Sequence, residues 1–319
     1  MLRYALFRIL QIFPVLLVIT IIVFGLMQLA PGDPFDQLIL ANPNITSEEI
    51  QHMKAVYGLD KPIYIQYLCW VGQVVQGNLG YSRLYRRSVV SLLPDRLANT
   101  LVLTSLSLLV SVLIAIPIGV YSGLKQYSWA DYALSIFAFV GISLPVFCSG
   151  LLLILVFSVT LEWLPPGGHY SLEPGASLLE KARYLILPVI VLSLFSTASW
   201  MRYMRSSILE IIHQGYIVTA RAKGLKQRVV VLRHALRNAL IPVVTLMTLS
   251  VPHLISGAVI TENIFSWPGM GRLIFDSLMN NDYSLAMAIF LIFATGVALF
   301  NLVADLLYAV IDPRITYDG

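Results

Sequence analysis

The chain has 319 residues, of which 58% are hydrophobic and 12% are charged, with a formal net charge of +4 at pH 7. An average soluble domain carries about 25% charged residues, so this composition excludes an ordinary soluble fold and predicts a membrane protein. The two cysteines, Cys69 and Cys148, have no metal-ligand spacing, and one of them lies inside an apolar run. We therefore predict neither a disulfide nor a cysteine-ligated metal site.

Six uncharged apolar runs are long enough to cross a membrane. A hydrocarbon core of about 30 Å needs about 20 apolar residues in a helix. In chain order the runs are residues 9–29, 97–124, 132–161, 184–201, 238–261 and 283–304. The third run is too long for one straight span, and Pro145 within it predicts a kink or a broken helix. Pro117 is expected to act similarly in the second run.

The first run resembles a signal peptide because Arg3 and Arg8 precede its apolar stretch. It is longer than such a peptide and has no small-residue cleavage site before Pro31, which favours a retained signal anchor over residues 1–30.

The connection that follows, residues 31–96, contains its own helix signals. Thr46 and Glu49 have the spacing of a capping box, and Pro62 suits the start of a second helix that ends before Gly77. Apolar residues recur along one side of this second helix. This stripe favours packing on the membrane surface or on other helices over ligand binding.

The distribution of basic residues predicts the orientation. If the N-terminus is cytosolic, the inner segments contain twelve of the 21 Lys and Arg residues and the short outer segments contain three. The other six lie in the long connection, where charge says little about the side of the membrane. Both termini are therefore predicted to be cytosolic.

Between Arg202 and Arg237, eight basic residues accompany a single acid, Glu210. Anionic lipid attracts such a segment at about 1 kcal/mol per basic residue near the surface, so membrane tethering explains part of this charge. A short helix is also predicted here, because residues 216–223 lie between two glycines and Gly224 suits a left-handed helix end.

This predicted helix is about 12 Å long, which is too short for stability alone in water. It must therefore lie against a surface, and a groove of a partner protein fits its composition. Thr219, Ala220 and Ala222 permit close approach, and Arg221 and Lys223 can meet carboxylates.

Two acids near the ends of predicted spans are candidates for a pathway or gate, because a charge at mid-bilayer costs about 3 kcal/mol and normally faces a partner or a cavity. Asp305 would line a pathway or pair with a cation, with a structural role near the inner interface favoured. Glu262, just before Trp267, would belong to an outer gate or be an interfacial acid beside an aromatic residue.

Two other classes of function are alternatives to a membrane subunit whose short helix docks on a partner protein. In a carrier driven by an ion gradient, Asp305 and Glu262 would be coupling carboxylates, but such carriers are commonly built from repeated halves, and no repeat is evident. An intramembrane enzyme is least favoured, because the five histidines share no metal-ligand spacing and no serine has a nucleophile-elbow context.

Several longer motifs indicate a family. The run TARAKGL at 219–225, followed after a gap by HALRNALIPV at 234–243, resembles the cytoplasmic coupling loop of ATP-binding cassette importer permeases of the dipeptide, oligopeptide and nickel branch. The resemblance covers the whole chain. It includes the N-terminal RILQIFPVLLVITIIVFGLMQLAPGDP, the segment YGLDKPIYIQYLCW, QGNLG at 76–80, TENIFSWPGMGR at 261–272 and the tail LVADLLYAVIDPR.

The resemblance implies an all-α polytopic membrane protein with six transmembrane helices and the type I importer permease fold, in a bacterial inner membrane. It implies an anchor helix at 1–30, a helical extracytoplasmic connection at 31–96, a permease core at 97–312 and a cytosolic tail at 313–319. The coupling loop would occupy residues 202–240.

The coupling residues implied by the resemblance are Tyr216, Thr219, Ala220, Arg221, Ala222, Lys223, Gly224, Leu225 and His234. Many permeases have Glu-Ala-Ala where this chain has Val218, Thr219 and Ala220, and a proline where it has Arg237. A specific glutamate contact to an ATPase is therefore not carried over. The lower-ranked pathway or gate residues are Glu262, Trp267 and Asp305.

The implied function is transport of dipeptides, oligopeptides or a similar small solute, with this chain as half of the pathway. The sequence has no phosphate-binding G-x-x-x-x-G-K-[ST] motif, so we expect no cofactor in this chain, with ATP and Mg on partner subunits. The implied partners are a second homologous permease, two ATPase subunits, an extracytoplasmic substrate-binding protein and membrane lipid, but no nucleic acid.

Overall fold

A computed structural model of the chain describes residues 2–29, 46–56, 60–168 and 177–311, and most of them are helical. In chain order the elements are α1 (Leu2–Leu29), α2 (Ser47–Val56), α3 (Ile63–Val75), β1 (Tyr81–Ser82), β2 (Arg87–Ser88), α4 (Val89–Leu124), α5 (Trp129–Ser143), α6 (Val146–Leu153), the π-helical segment π1 (Ile154–Thr160), α7 (Leu178–Ile211), α8 (Gly215–Ala222), α9 (Gln227–Val229), the π-helical segment π2 (Val230–Ala235), α10 (Leu236–Ile264), α11 (Met270–Met279) and α12 (Tyr283–Ile311). They divide into two compact units, residues 1–98 with 272–299 and residues 99–271 with 300–319.

The six predicted spans agree with the helices. Five helices are long and apolar enough to cross a membrane: Phe7–Leu29, Val89–Leu124, Leu179–Ile211, Gln227–Thr248 and Tyr283–Val303. The bent pair Trp129–Ser143 and Val146–Thr160, whose axes differ by 107° at the predicted break before Pro145, gives a sixth when it is counted as one span. α4 continues through Pro117 without a break, which leaves only a kink from the expectation stated for this residue; membrane helices tolerate proline where neighbouring groups satisfy the freed carbonyl.

The first unit contains the predicted capping box at the start of α2. The backbone N–H of Thr46 donates to Glu49 Oε2 at 2.8 Å, and the Glu49 N–H donates to Thr46 Oγ1 at 3.3 Å. Pro62 occupies the N-cap position of α3, as predicted. Gly58, which by its sequence suits the end of the helix that follows the capping box, lies outside the described residues.

The capping box predicts a pH dependence for α2. The hydrogen bonds from the Thr46 backbone N–H and hydroxyl lower the pKa of Glu49. The box therefore stabilises α2 above the ordinary glutamate pKa of about 4.3, and this contribution is lost as the pH falls through the lowered value. In an NMR titration, the Thr46 amide proton should shift with Glu49 protonation, and Glu49→Gln should remove that shift; an unshifted wild-type amide would contradict the box.

A two-stranded antiparallel hairpin, in which Tyr81 pairs with Ser88, was not predicted from the sequence. It is fixed within the first unit by Asp282, which accepts hydrogen bonds from Ser82 Oγ at 2.6 Å and from the Leu84 N–H at 3.1 Å. Tyr85 donates its hydroxyl to Asp276 at 3.1 Å. Burial and the nearby Asp276 charge raise the pKa of Tyr85.

The second unit has one main apolar core, shared by α4, α5, α7, α8, π2 and α10. Its fully buried members include Ala115, Ala138, Ala198, Met204, Ile208, Ile217 and Ala239. α4 approaches α7 closely at two glycines: an added Cβ would lie 2.6 Å from Met204 Cβ at Gly119 and 2.8 Å from Ile208 Cγ2 at Gly123. Small residues at this spacing allow membrane helices to pack backbone against side chain.

Candidate functional site

The predicted short helix is present as α8, and its end has the geometry that the sequence indicates. Gly224 has a φ of +72°, and its N–H donates to the carbonyl of Arg221 at 2.9 Å. The next N–H, of Leu225, donates to the carbonyl of Ala220 at 3.4 Å. These two bonds around a left-handed residue are the Schellman motif, which stops a helix and turns the chain.

α8 lies on the core of its own chain. Ile217 and Ala220 are 0% and 6% exposed and belong to the core that includes Met204 and Ile208. The helix therefore has the supporting surface that its length requires. Ala220 points inward, which corrects the expectation that it permits close approach of a partner, because its methyl group is already covered.

The opposite face of α8 is exposed. Tyr216, Val218 and Leu225 are 44%, 56% and 40% exposed, and Thr219, Arg221, Ala222, Lys223 and Gly224 are also exposed. The Thr219 hydroxyl donates to the Gly215 carbonyl at 2.9 Å. Apolar and basic groups thus share one outward surface, which we call the outer face of α8.

Tyr216 and His234, two predicted coupling residues, both contact Asn238 beside an open pocket. Asn238 Nδ2 donates to the Tyr216 hydroxyl at 2.9 Å and to the His234 carbonyl at 3.3 Å. The pocket has a volume of about 440 Å³ and is lined by Tyr216, Arg233, His234, Arg237, Asn238 and Ile241. The structure therefore connects α8 to the start of α10 through polar side chains.

An ion pair between the buried Asp131 and the partly exposed Arg205 lies close to the core behind α8. Arg205 of α7 donates from Nε and Nη2 to the two carboxylate oxygens of Asp131 at 2.7 and 2.8 Å. Asp131, at the start of α5, is 2% exposed and also accepts hydrogen bonds from Ser122 Oγ and the Tyr127 N–H. One carboxylate thus joins the end of α4, the start of α5 and the last third of α7.

Sequence reasoning missed this pair, since its members are 74 positions apart and belong to no motif. The only local signal was an acid at the edge of an apolar run, three positions after Ser128, which caps α5.

Breaking the pair should destabilise the second unit. Asp131→Ala would leave the Arg205 guanidinium, whose side chain is 26% exposed, without its carboxylate, at a cost of about 2 kcal/mol. The double variant Asp131→Ala/Arg205→Met should lose less stability than Asp131→Ala alone, because it leaves no unpaired charge. Thermal unfolding of the purified variants measures both, and equal losses would contradict a stabilising pair.

Glu262, at the end of α10, is fully buried. Its Oε1 accepts a hydrogen bond from Thr100 Oγ1 at 2.6 Å, and its Oε2 accepts one from the Gly271 N–H at 2.7 Å. Its carboxyl group joins α4 to Gly271, at the start of α11.

Trp267 is held in the same loop. Its Nε1–H donates to the Asn99 carbonyl at 3.1 Å, and it is 2% exposed in a small core with Leu103 and Leu192. Asn99 returns a hydrogen bond from Nδ2 to the Pro268 carbonyl at 2.9 Å. Trp267 is therefore a packed anchor and not an aromatic side chain facing lipid.

Two glycines make room for the Glu262 carboxyl group. A Cβ added at Gly269 would overlap that group, and one at Gly271 would lie 2.5 Å from the Val259 Cα. We call Glu262 and residues 265–271 the buried-acid loop. The third predicted gate residue, Asp305, lies on α12, but its side chain is outside the described part of the chain.

Comparisons with known proteins agree with this arrangement. The chain is 43% identical over 318 residues to the oligopeptide transport system permease protein AppB of Bacillus subtilis, covering 99% of this chain and 100% of that protein. It is 43% identical over 316 residues to a putative peptide permease protein of Brucella ovis, covering 99% of both chains. It is 38% identical over 317 residues to the glutathione transport system permease protein GsiC of Escherichia coli, covering 99% of this chain and 100% of that protein.

Solved structures support the fold. A chain of the MetNI methionine ABC transporter in an inward-facing conformation matches 70% of this chain and 97% of its own length, with a TM-score of 0.57 and 16% identity. At this identity the likeness shows the fold alone, which is that of ABC importer permeases. Residues 1–104 match the N-terminal region, and residues 115–317 the main region, of one permease family. The chain belongs to the family of binding-protein-dependent transport system inner membrane components.

Proposed function

We propose that this chain forms half of the membrane pathway of an ATP-driven importer for peptides, or for a similar small solute such as glutathione. The family describes membrane components of transport systems that depend on a binding protein, and relatives at 38–43% identity are named as peptide, oligopeptide and glutathione permeases. The observation that carries the mechanism is α8, a short helix with an exposed outer face on its own core.

The proposed partners are a second homologous permease, two ATPase subunits that bind ATP and Mg, a substrate-binding protein outside the cell, and membrane lipid. In this proposal the outer face of α8 docks in a groove of one ATPase, where Arg221 and Lys223 meet carboxylates. This chain supplies no group to ATP hydrolysis.

Motion would pass from the ATPase into the membrane through the contacts around α8. Ile217 and Ala220 share a core with Met204 and Ile208 of α7, so a displacement of α8 presses directly on α7. Arg205 on the same helix is bonded to Asp131, which carries the displacement to α4 and α5. Packed helices that move together would switch the pathway between inward-open and outward-open states.

The proposed orientation places both termini and residues 202–240 on the cytosolic side of a bacterial inner membrane. It follows from the excess of Lys and Arg in these segments. In this orientation residues 1–30 anchor the chain, residues 31–96 lie outside the cell, residues 97–312 form the permease core, and residues 313–319 are a cytosolic tail.

The buried-acid loop is proposed to act on the outer gate. Glu262 and Trp267 would set the position of the loop through Thr100 and Asn99, without touching the solute themselves. Asp305 remains proposed as a pathway or structural residue near the inner face. No observation favours the ion-gradient alternative, and the family is defined by its dependence on a binding protein, so we do not retain that alternative.

Co-purification and energy dependence test this function. A tagged copy of this chain, extracted from its own membranes in mild detergent, should carry an ATPase subunit and a second permease with it. Uptake of a labelled peptide by the same cells should stop when ATP is depleted while the proton gradient is maintained. Uptake that follows the proton gradient at constant low ATP would contradict the proposal.

A further inference from the structure

The pocket beside Tyr216 has the chemistry of a site for a carboxylate. Arg233 in π2 and Arg237 in α10 both line this pocket. Both side chains are exposed. No residue lining the pocket is acidic, and within the described ranges neither guanidinium is paired with a carboxylate.

The other polar groups of the pocket also favour an acceptor ligand. The His234 carbonyl can only accept, which sets the Asn238 amide nitrogen toward it and toward the Tyr216 hydroxyl. Tyr216 accepts this hydrogen bond, and its own O–H remains available to donate. Two guanidinium groups and one hydroxyl therefore present donors to the same space.

The position of the pocket indicates its occupant. Tyr216 belongs both to the pocket and to the outer face of α8, so a partner docked on α8 reaches the edge of the pocket. A volume of about 440 Å³ admits an acidic side chain together with neighbouring residues of a protein segment. The planar forks of arginine match a carboxylate with two parallel hydrogen bonds.

We infer that the pocket formed by Tyr216, Arg233 and Arg237 receives an Asp or Glu side chain of the ATPase subunit, as a second contact beside α8. This inference rests on the proposed function, because it requires an ATPase docked on α8. It assigns to Arg233 and Arg237 a specific charge-paired contact, which the composition of this segment does not identify.

Charge reversals with a matched control test the inference. Arg233→Glu and Arg237→Glu should each weaken retention of the ATPase by the full, purified complex about tenfold, as loss of one charge-assisted contact predicts. Arg228→Glu makes the same charge change on the exposed helix α9 of the same segment but outside the pocket. It should retain the ATPase as the wild type does, and equal losses in all three variants would overturn the inference.

An anionic lipid headgroup could also occupy the pocket. Repeating the retention measurement in two membranes distinguishes this occupant from an ATPase side chain. The complexes are placed in nanodiscs of phosphatidylcholine alone and of phosphatidylcholine with phosphatidylglycerol. The loss of ATPase retention in Arg233→Glu and in Arg237→Glu should be present in both membranes. A loss confined to the anionic membrane would assign the pocket to a lipid headgroup and overturn the inference.

Zero-length crosslinking gives a readout that does not depend on assembly strength. Arg237→Lys keeps the positive charge and supplies an amine, so a carbodiimide should join position 237 to an Asp or Glu of the ATPase, as located by mass spectrometry. Arg228→Lys should give no such link, and its absence at 237 as well would overturn the inference. A wild-type complex that retains no ATPase at all would instead contradict the proposed function.

Discussion

A Gly269→Ala variant is expected to lose about 3 kcal/mol of stability or more, which is the largest effect that we predict for a single methyl group. The added Cβ would overlap the carboxyl group of Glu262. That group is fully buried and bonded at both oxygens, so it cannot swing into solvent. Either the hydrogen bonds to Thr100 and Gly271 break, or the loop moves away from α4.

The loss can be measured as the fraction of protein that stays monodisperse after heating in detergent. Gly296→Ala is the matched control, because a Cβ there meets nothing within 4 Å and alanine favours the helix that contains it. The control should equal or exceed the wild type. If Gly269→Ala were as stable as this control, the buried-acid loop would not be a rigid anchor.

Replacement of Gly224 by leucine is expected to abolish transport while the chain still inserts. A side chain at a φ of +72° costs about 1–2 kcal/mol, which is too little to unfold the second unit. A Cβ at this position meets nothing within 4 Å, so the leucine would project into the space that a docked ATPase needs. Peptide uptake and membrane content, measured in the same cells, separate these two effects.

Gly224→Asn is the informative companion variant. Asparagine tolerates the left-handed conformation and is smaller than leucine, so it should preserve the end of α8 and retain much of the uptake. Normal uptake by a well-expressed Gly224→Leu protein would contradict the docking role. Equal failure of both variants would indicate that the site excludes any side chain.

Features with local physical causes could be predicted from the sequence. The break before Pro145 follows from a missing N–H and a steric clash within one turn. The end of α8 follows from the preference of Gly224 for a left-handed conformation, and the capping box follows from two side chains three positions apart. In each case the determining atoms lie within a few residues of one another.

Features that depend on distant partners could not be predicted. Thr100 and Glu262 are 162 positions apart, so the sequence near Glu262 does not indicate that its carboxyl group is buried. Ala220 is a small residue of the kind found at close contacts with a partner. Only the packing of α7 beneath α8 decides which way its methyl group points. The pair of Asp131 and Arg205 is hidden for the same reason, since each residue alone suits a membrane edge.

The position of Pro188 within α7 has a mechanical consequence. The 23 residues from there to the last residue, Ile211, extend about 35 Å, and α8 begins just beyond them. A tilt of about 5° at the proline therefore displaces the far end by about 3 Å, or two residues of helical rise. If α8 docks on an ATPase as proposed, this segment would act as a lever arm that a stroke of a few ångströms against α8 swings.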